Sequence, residues 1–303
     1  MTRESTPAHP CSMIRETAPA KVNLVLHVGR RRADGLHEIC SLFASLELAD
    51  ELLVEALGRE AAPRNTEAPG PDRIVCPGVA GPNLAAAALA AFRAAAGDLP
   101  PLKVTIDKRI PVAAGLGGGS ADAAAALRAA NHLAGRPLDA SALHAIASAL
   151  GADVPSQLEP RHALVTGAGE HVEPVDLPEM TLVLVPSHEG LSTKDVYAEA
   201  DRMPSTRAHL DPESLRALAK APLATLAKGM ENDLEAAALS LRPELARTLA
   251  QLEEAGAVAA CISGSGPTAF GVFATRTEAE AAAATLDDAL VTALRRSPPP
   301  PAR

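Results

Sequence analysis

Val and Leu alternate loosely with small and polar residues from Ala20 to Val28, a pattern that predicts a β-strand. Leu36–Leu46 and Glu51–Ala56 continue it and predict two more strands, so the chain opens with a β-rich segment. Gly58–Pro82 breaks the pattern with Gly, Pro and charge and reads as a loop or a poorly ordered insertion. The period then becomes helical. Asn83–Ala96 predicts a helix with Asn83 as its N-cap and Gly97 just past its end. Leu102–Asp107 predicts a strand, followed by a Gly-rich loop and a helix over Ser120–Ala134 closed by Gly135. Ser141–Leu150 predicts a helix capped by Asp139 or Ser141 and ended by Gly151.

Beyond His162 the pattern changes. Thr181–Pro186 predicts a strand, Ser192–Ala200 a short helix, and Glu213–Ala219, Glu231–Leu241 and Pro243–Glu254 further helices. Val258–Ile262 and Thr268–Phe273 predict strands around a second Gly-rich turn, then come a helix over Thr277–Asp287 and a last strand over Ala289–Leu294. Strands and helices mix without strict βαβ alternation, which predicts an α+β fold. A domain boundary is expected near residues 160 to 175, giving one domain over 14–165 and another over 166–296. Residues 1–13 are expected to be a disordered extension, with Met13 a possible start, and 297–303 a disordered tail.

Composition narrows the class. With 303 residues, 47% of them hydrophobic, the chain can bury a core. The formal net charge of −9 argues against non-specific nucleic-acid binding, which needs a basic field, although local backbone N–H groups can still hold an anion. The four cysteines, Cys11, Cys40, Cys76 and Cys261, have no metal-ligand spacing and read as reduced thiols. The polar start has no apolar core of a signal peptide, and no apolar run is long enough to span a membrane. A cytoplasmic protein is expected. Aromatics make up only 2% and Tyr197 is the single Tyr, so any aromatic in a pocket is noteworthy.

The Gly-rich loop Pro111–Ala124, PVAAGLGGGSADAA, follows a strand and opens a helix. Gly115, Gly117, Gly118 and Gly119 let the backbone turn its N–H groups toward an anion. The helix beginning near Ser120 adds unpaired N–H groups and the positive end of its dipole. It is not a Walker loop, because no Lys follows the glycines, and it fails the dinucleotide fingerprint at the third glycine, where Ser120 stands.

PAKVN at Pro19–Asn23, this loop, and SGSGPTAF at Ser263–Phe270 together resemble the motifs of the GHMP kinase superfamily, that of galactokinase, homoserine kinase, mevalonate kinase and phosphomevalonate kinase. Further details are similar to the branch acting on a cytidine diphosphate-linked alcohol in non-mevalonate isoprenoid precursor synthesis. They are the long match APAKVNLVLHVGRRRADGLHEICSLFASLELADEL, the triple glycine, and GADVP at Gly151–Pro155. The resemblance implies a two-domain α+β fold with ATP and substrate meeting in the interdomain cleft.

It also implies roles. Asp153 would be the catalytic base and Lys21 its partner. The ATP side would be Pro111, Val112, Ala113, Ala114, Gly115, Leu116, Gly117, Gly118, Gly119, Ser120 and Ala121, with Asn83 and Lys108 as further candidates. The substrate side would be Asn23, Leu36, His37, Thr193 and Tyr197, with Tyr197 stacking on the cytosine. Mg²⁺ is expected with ATP, and Ser120 is a candidate contact.

Each residue has a plainer reading beside this one. Asp153 would suit a turn, His37 a solvated loop, and Tyr197 a core position. Lys21 in an apolar strand is harder to explain that way, because Lys is rarely buried unpaired. His27, on the same strand, reads as structural. The pattern also departs from the family's: Leu36 replaces the usual Tyr beside His37, and Ser156-Gln157 follow Pro155 in place of two Phe. These changes fall on the substrate side, so another alcohol such as homoserine or a mevalonate derivative, or a non-catalytic nucleotide-binding homologue, stays open at this point.

Overall fold

Two long antiparallel strands, β1 (Met13–Arg31) and β2 (His37–Ala56), form the spine of the molecule, joined by the tight Arg32–Leu36 turn. The computed structural model describes residues 13–57, 71–79, 81–97, 99–187, 189–203 and 206–296. Most of the expected insertion, the extension before Met13 and the tail from residue 297 lie outside these. Met13, grouped with the extension above, pairs with Glu55 at the start of β1.

The β1 run from Ala18 to Val28 is buried throughout, which explains its nearly continuous apolar sequence. β2 is one strand where two were expected. Asp50, which reads as a strand breaker, is fully buried and accepts hydrogen bonds from the Arg109 and Ile110 amides and from Lys108 Nζ, so the chain runs straight through it.

The other edge of β2 is shared by two partners end to end. Its last residues pair with β4 (Leu102–Asp107), to which the three-residue β3 (Arg73–Val75) adds in parallel. Its first residues pair with β5 (Ala163–Gly167), which turns back into β6 (His171–Pro174). β3, β5 and β6 were not expected. The hairpin of β5 and β6 straddles the expected 165/166 boundary and stays with the first sheet; the second sheet begins after it.

Four helices cover one face of this sheet: α1 (Leu84–Ala96), α2 (Gly118–Leu133), α3 (Ala140–Leu150) and the short α4 (Val154–Leu158). Their ends follow capping chemistry. Asn83 Oδ1 accepts from the Ala85 amide, Asp139 Oδ1 accepts from the Ala142 amide, and Gly97 and Gly151 close the C-termini.

The second sheet runs β10 (Leu290–Ala293), β7 (Thr181–Val185), β9 (Ala269–Phe273), β8 (Ala259–Ile262). One face shares a core with the spine, where Val22, Leu24, Leu42 and Leu46 meet Leu182, Leu184 and Phe270. The other is covered by α9 (Leu245–Glu254) and α10 (Arg276–Ala283). The helices α5 (Thr193–Ala200), α6 (Pro212–Ala219), α7 (Leu223–Lys228) and α8 (Glu235–Leu241) fill the seam beside β1 and β2. The expected helix over Glu231–Leu241 begins only at Glu235, because Asn232 is spent on β1 and the second Gly-rich turn. It bridges to Leu26 and donates to the Ile262 and Gly264 carbonyls at 2.8 Å each. The result is an α+β fold, as the mixed pattern predicts.

Candidate active site

Lys21 and Asn23 lie two apart on β1 and so share a face, and register shifts on either side of the pair set how β1 meets β2 here. Lys21 is 5% exposed. Its Nζ donates to Asn23 Oδ1 at 2.7 Å, lies 3.4 Å from Asp153 Oδ2, and sits 4.8 Å above the centre of the Phe43 ring. Asn23 Nδ2 in turn donates to Ser41 Oγ at 2.9 Å, and Ser41 Oγ to the Val25 carbonyl. The ammonium is thus aimed by a chain of hydrogen bonds and by an aromatic face.

Asp153 is the N-cap residue of α4, a position where an aspartate usually accepts from its own helix. Here the carboxylate makes no such bond and remains free to face Lys21.

The Gly-rich loop crosses the same cleft. α2 starts at Gly118, two residues before the sequence suggests, with Gly117 as an N-cap that offers no side chain. Its first-turn N–H groups are therefore left for an anion. Gly117 has φ +71°, and a Cβ there would meet Lys21 Cγ at 3.0 Å. The loop is pinned from both sides. The Leu116 carbonyl accepts from the Lys21 amide at 3.0 Å, and the Gly115 carbonyl accepts from Ser263 Oγ at 3.1 Å. Ala114, Leu116 and Ala121 point into the core and do not line the cleft, while Val112 and Ala113 are exposed.

Two candidates are engaged elsewhere. Asn83 caps α1, and Lys108 Nζ is held by Asp50 Oδ2 at 2.5 Å and Asp122 Oδ2 at 2.8 Å, close beneath Gly118. Neither lines the cleft. Burial pushes the Asp122 carboxyl up to about 7, against the pull of Lys108, and its other oxygen has no partner. A folded-state value above the ordinary 3.8 means the folded protein holds a proton that the unfolded chain has lost between those limits. Stability is expected to fall as pH rises from about 4 to about 7, and Asp122→Asn to flatten that slope. Denaturant midpoints across this range measure it.

The distal end of the cleft holds His37, 8% exposed, whose Nε2 pairs with Asp201 Oδ1 at 2.7 Å. His37 and Tyr197 stack with centroids 5.1 Å apart and an interplanar angle of 27°. Burial, with a smaller push from the Asp153 charge, raises the Tyr197 phenol above its ordinary range. Thr193 Oγ1 lies 2.9 Å from Ser265 Oγ and ties α5 to the second Gly-rich turn. Leu36 is half-exposed at the rim. All of these line one cavity of about 580 Å³, together with Lys21, Asn23, Gly115, Gly117, Ser120 and Asp153. His27 lies apart and pairs with Glu231, as a structural residue should.

Sequence reasoning missed Phe43, Ser41, Asp201, Ser265 and Asn232, and two cations on the cleft wall, Arg31 and Lys194. Asp201 and Lys194 did carry a signal. An acid at the C-cap of α5 and a base in its first turn both oppose the helix dipole, so helix stability does not explain them.

A buried ammonium beside a free carboxylate, facing an open helix N-terminus, can take a proton from a hydroxyl and hold phosphates at the same time. Known proteins resemble this chain in sequence and fold. Residues 83–159 match the family described as GHMP kinases N terminal domain, and residues 214–292 match GHMP kinases C terminal. A 4-diphosphocytidyl-2-C-methyl-D-erythritol kinase of Rhizobium johnstonii is 40% identical over 92% of this chain and 90% of its own. One of Anaeromyxobacter dehalogenans is 43% identical over 88% of this chain and 82% of its own. A crystal structure of 4-(cytidine 5'-diphospho)-2C-methyl-D-erythritol kinase superposes with TM-score 0.75 at 35% identity, covering 93% of this chain and 99% of that one.

Proposed function

We infer the activity from family membership: this chain belongs to the GHMP kinases, and it transfers the γ-phosphoryl group of ATP to the 2-hydroxyl of 4-diphosphocytidyl-2-C-methyl-D-erythritol in isoprenoid precursor synthesis. The observation that carries the chemistry is the convergence of Lys21, Asp153 and the uncapped start of α2 on one cleft.

Phosphoryl transfer asks the protein mainly to position groups and stabilise charge. Asp153 takes the hydroxyl proton as the oxygen attacks. Lys21 lies against the same carboxylate and offsets charge on the attacking oxygen. Asn23 and Phe43 fix where that charge sits. The loop amides and the N-terminus of α2 take the ATP phosphates.

Mg²⁺ would accompany ATP. Among the described residues no three His, Cys, Asp or Glu side chains cluster to hold a metal alone. That fits Mg²⁺, which keeps waters and phosphate oxygens as most of its ligands and needs one or two protein oxygens. Ser120, in the first turn of α2 and lining the cleft, would supply one. The ion's part is to neutralise phosphate charge. No described helix is long and apolar enough to cross a membrane; the use of ATP and a polar small-molecule substrate supports a cytoplasmic reading.

Tyr197, backed by His37, is the surface on which the cytosine stacks, with Leu36 packing at the rim in place of a second ring. Base–aromatic stacking contributes about 1–3 kcal/mol, so Tyr197→Ala is expected to raise KM for the cytidine substrate by roughly 5- to 150-fold and leave KM for ATP nearly unchanged. ADP release coupled to a reporter tests the whole reading. Turnover with the cytidine substrate and none with homoserine or mevalonate supports it, and the reverse preference sinks it.

A further inference from the structure

A second hollow, of about 350 Å³, lies away from the cleft and shares no lining residue with it. Four arginines, Arg15, Arg128, Arg161 and Arg295, surround it, with Glu16 and Glu159 as the only carboxylates on its wall among the described residues.

Both carboxylates are already taken. Arg128 Nε donates to Glu16 Oε2 at 2.8 Å, and its other nitrogens donate to the Gln157 and Thr17 carbonyls. Arg161 Nη2 donates to Glu159 Oε2 at 2.6 Å. Arg15 and Arg295 have no carboxylate partner among the described residues. Arg295 Nη1 reaches only the Pro160 carbonyl, at 3.3 Å. Yet Arg295 is half-buried, and burial, reinforced by the Arg128 charge and opposed by a smaller pull from Glu16, pushes its guanidinium down from the ordinary range. Guanidiniums are seldom withdrawn from water without an anion to meet them, and like charges brought together raise the cost. In a chain of formal net charge −9, carboxylates were plentiful, but the two on this wall are paired with Arg128 and Arg161.

We propose that this hollow is a second ligand site, which takes a small anion bearing a phosphate or diphosphate group between the guanidiniums of Arg15 and Arg295. The planar donor forks of arginine match phosphate oxygens in pairs, which a lysine cluster would not do. The hollow's size suits a diphosphate with a short organic tail better than a polymer. Arg128 is occupied in holding Gln157 of α4 to β1, so it is a poor probe, because α4 begins directly after Asp153. The side chains of Arg15 and Arg295 make no such contact.

Calorimetric titration with inorganic diphosphate decides the matter, using the full chain with its cleft saturated by a non-hydrolysable ATP analogue. Saturable binding is expected, weakened about tenfold or more by Arg295→Gln and likewise by Arg15→Gln, with kcat unaltered in both. Titration with inorganic phosphate separates the sources: binding as tight as diphosphate points to a single phosphoryl group, and weaker binding to a diphosphate. Thermal midpoints check that the variants are folded. Should Arg295→Gln fail to fold, Arg15→Gln, on an exposed residue, carries the decision alone. Unchanged binding in the folded variants, loss of binding when the ATP analogue fills the cleft, or no saturable heat at millimolar diphosphate would each overturn the proposal.

Discussion

An Asp153→Asn enzyme is expected to lose about 10²–10⁴-fold in kcat, the usual range for a positioned general base. The amide matches the carboxylate in shape but cannot accept the hydroxyl proton. Little else should move. Asp153 makes no side-chain cap to α4, so the substitution removes no helix bond. Lys21 keeps Asn23 and the Phe43 ring, which continue to place its ammonium. ATP affinity is therefore expected to stay near the parent value, because the loop amides and the start of α2 are untouched. Steady-state kinetics with the cytidine substrate and calorimetry with an ATP analogue separate the two effects. A kcat within tenfold of the parent would remove Asp153 from the base role. Weakened ATP binding with intact kcat would make it a phosphate-side residue instead.

Gly115→Ala is expected to damage the protein more broadly. Gly115 sits at φ +75°, where any Cβ is strained, at about 1–2 kcal/mol. The added carbon would also run into backbone. It would fall against the Gly266 carbonyl and lie 2.9 Å from the Ser263 carbonyl oxygen. Backbone cannot rotate aside as a side chain can, so the Gly-rich loop and the Ser263–Phe270 turn must separate. Together these effects are expected to cost about 3 kcal/mol or more, in the range reserved for strained or overpacked positions. The thermal midpoint should fall by several degrees and KM for ATP should rise. Gly119→Ala is the matched control. Its Cβ would meet nothing within 4 Å, and within α2 an alanine is the better helix former, so its stability should hold or rise. Equal stability losses at both positions would show that the loop is not pinned as described.

The parts of this molecule legible in its sequence were those decided by local chemistry. Asn83, Asp139 and Ser192 announce helix starts because their side chains bond amides two or three residues away. The glycines at 115 and 117 announce a turn because only a residue without a Cβ sits easily at their φ values. Lys21 announced a site because a lone ammonium has no place in an apolar strand. What stayed hidden depends on partners far along the chain. Asp50 reads as a break in β2 until Lys108 and the Arg109 and Ile110 amides close around it. β5 forms beside β2 across more than a hundred residues, and β6 follows it as the outer strand. His37 meets Asp201 across the cleft, and no spacing rule links two residues so remote.

Helix α2 carries one more lesson. From Ala121 to Ala130 its buried side chains are mostly methyl groups, and they pack against α1, itself rich in alanine. A methyl group has no rotamers to freeze, so seating this helix costs almost no side-chain entropy, whereas a leucine gives up about 0.5–1 kcal/mol on burial. The helix that presents its N-terminus to the phosphates is therefore held by backbone closeness, with little room for alternative packings. It has few ways to loosen by degrees. On warming, the phosphate cradle should keep its shape until the layer around it melts, and then lose it all at once.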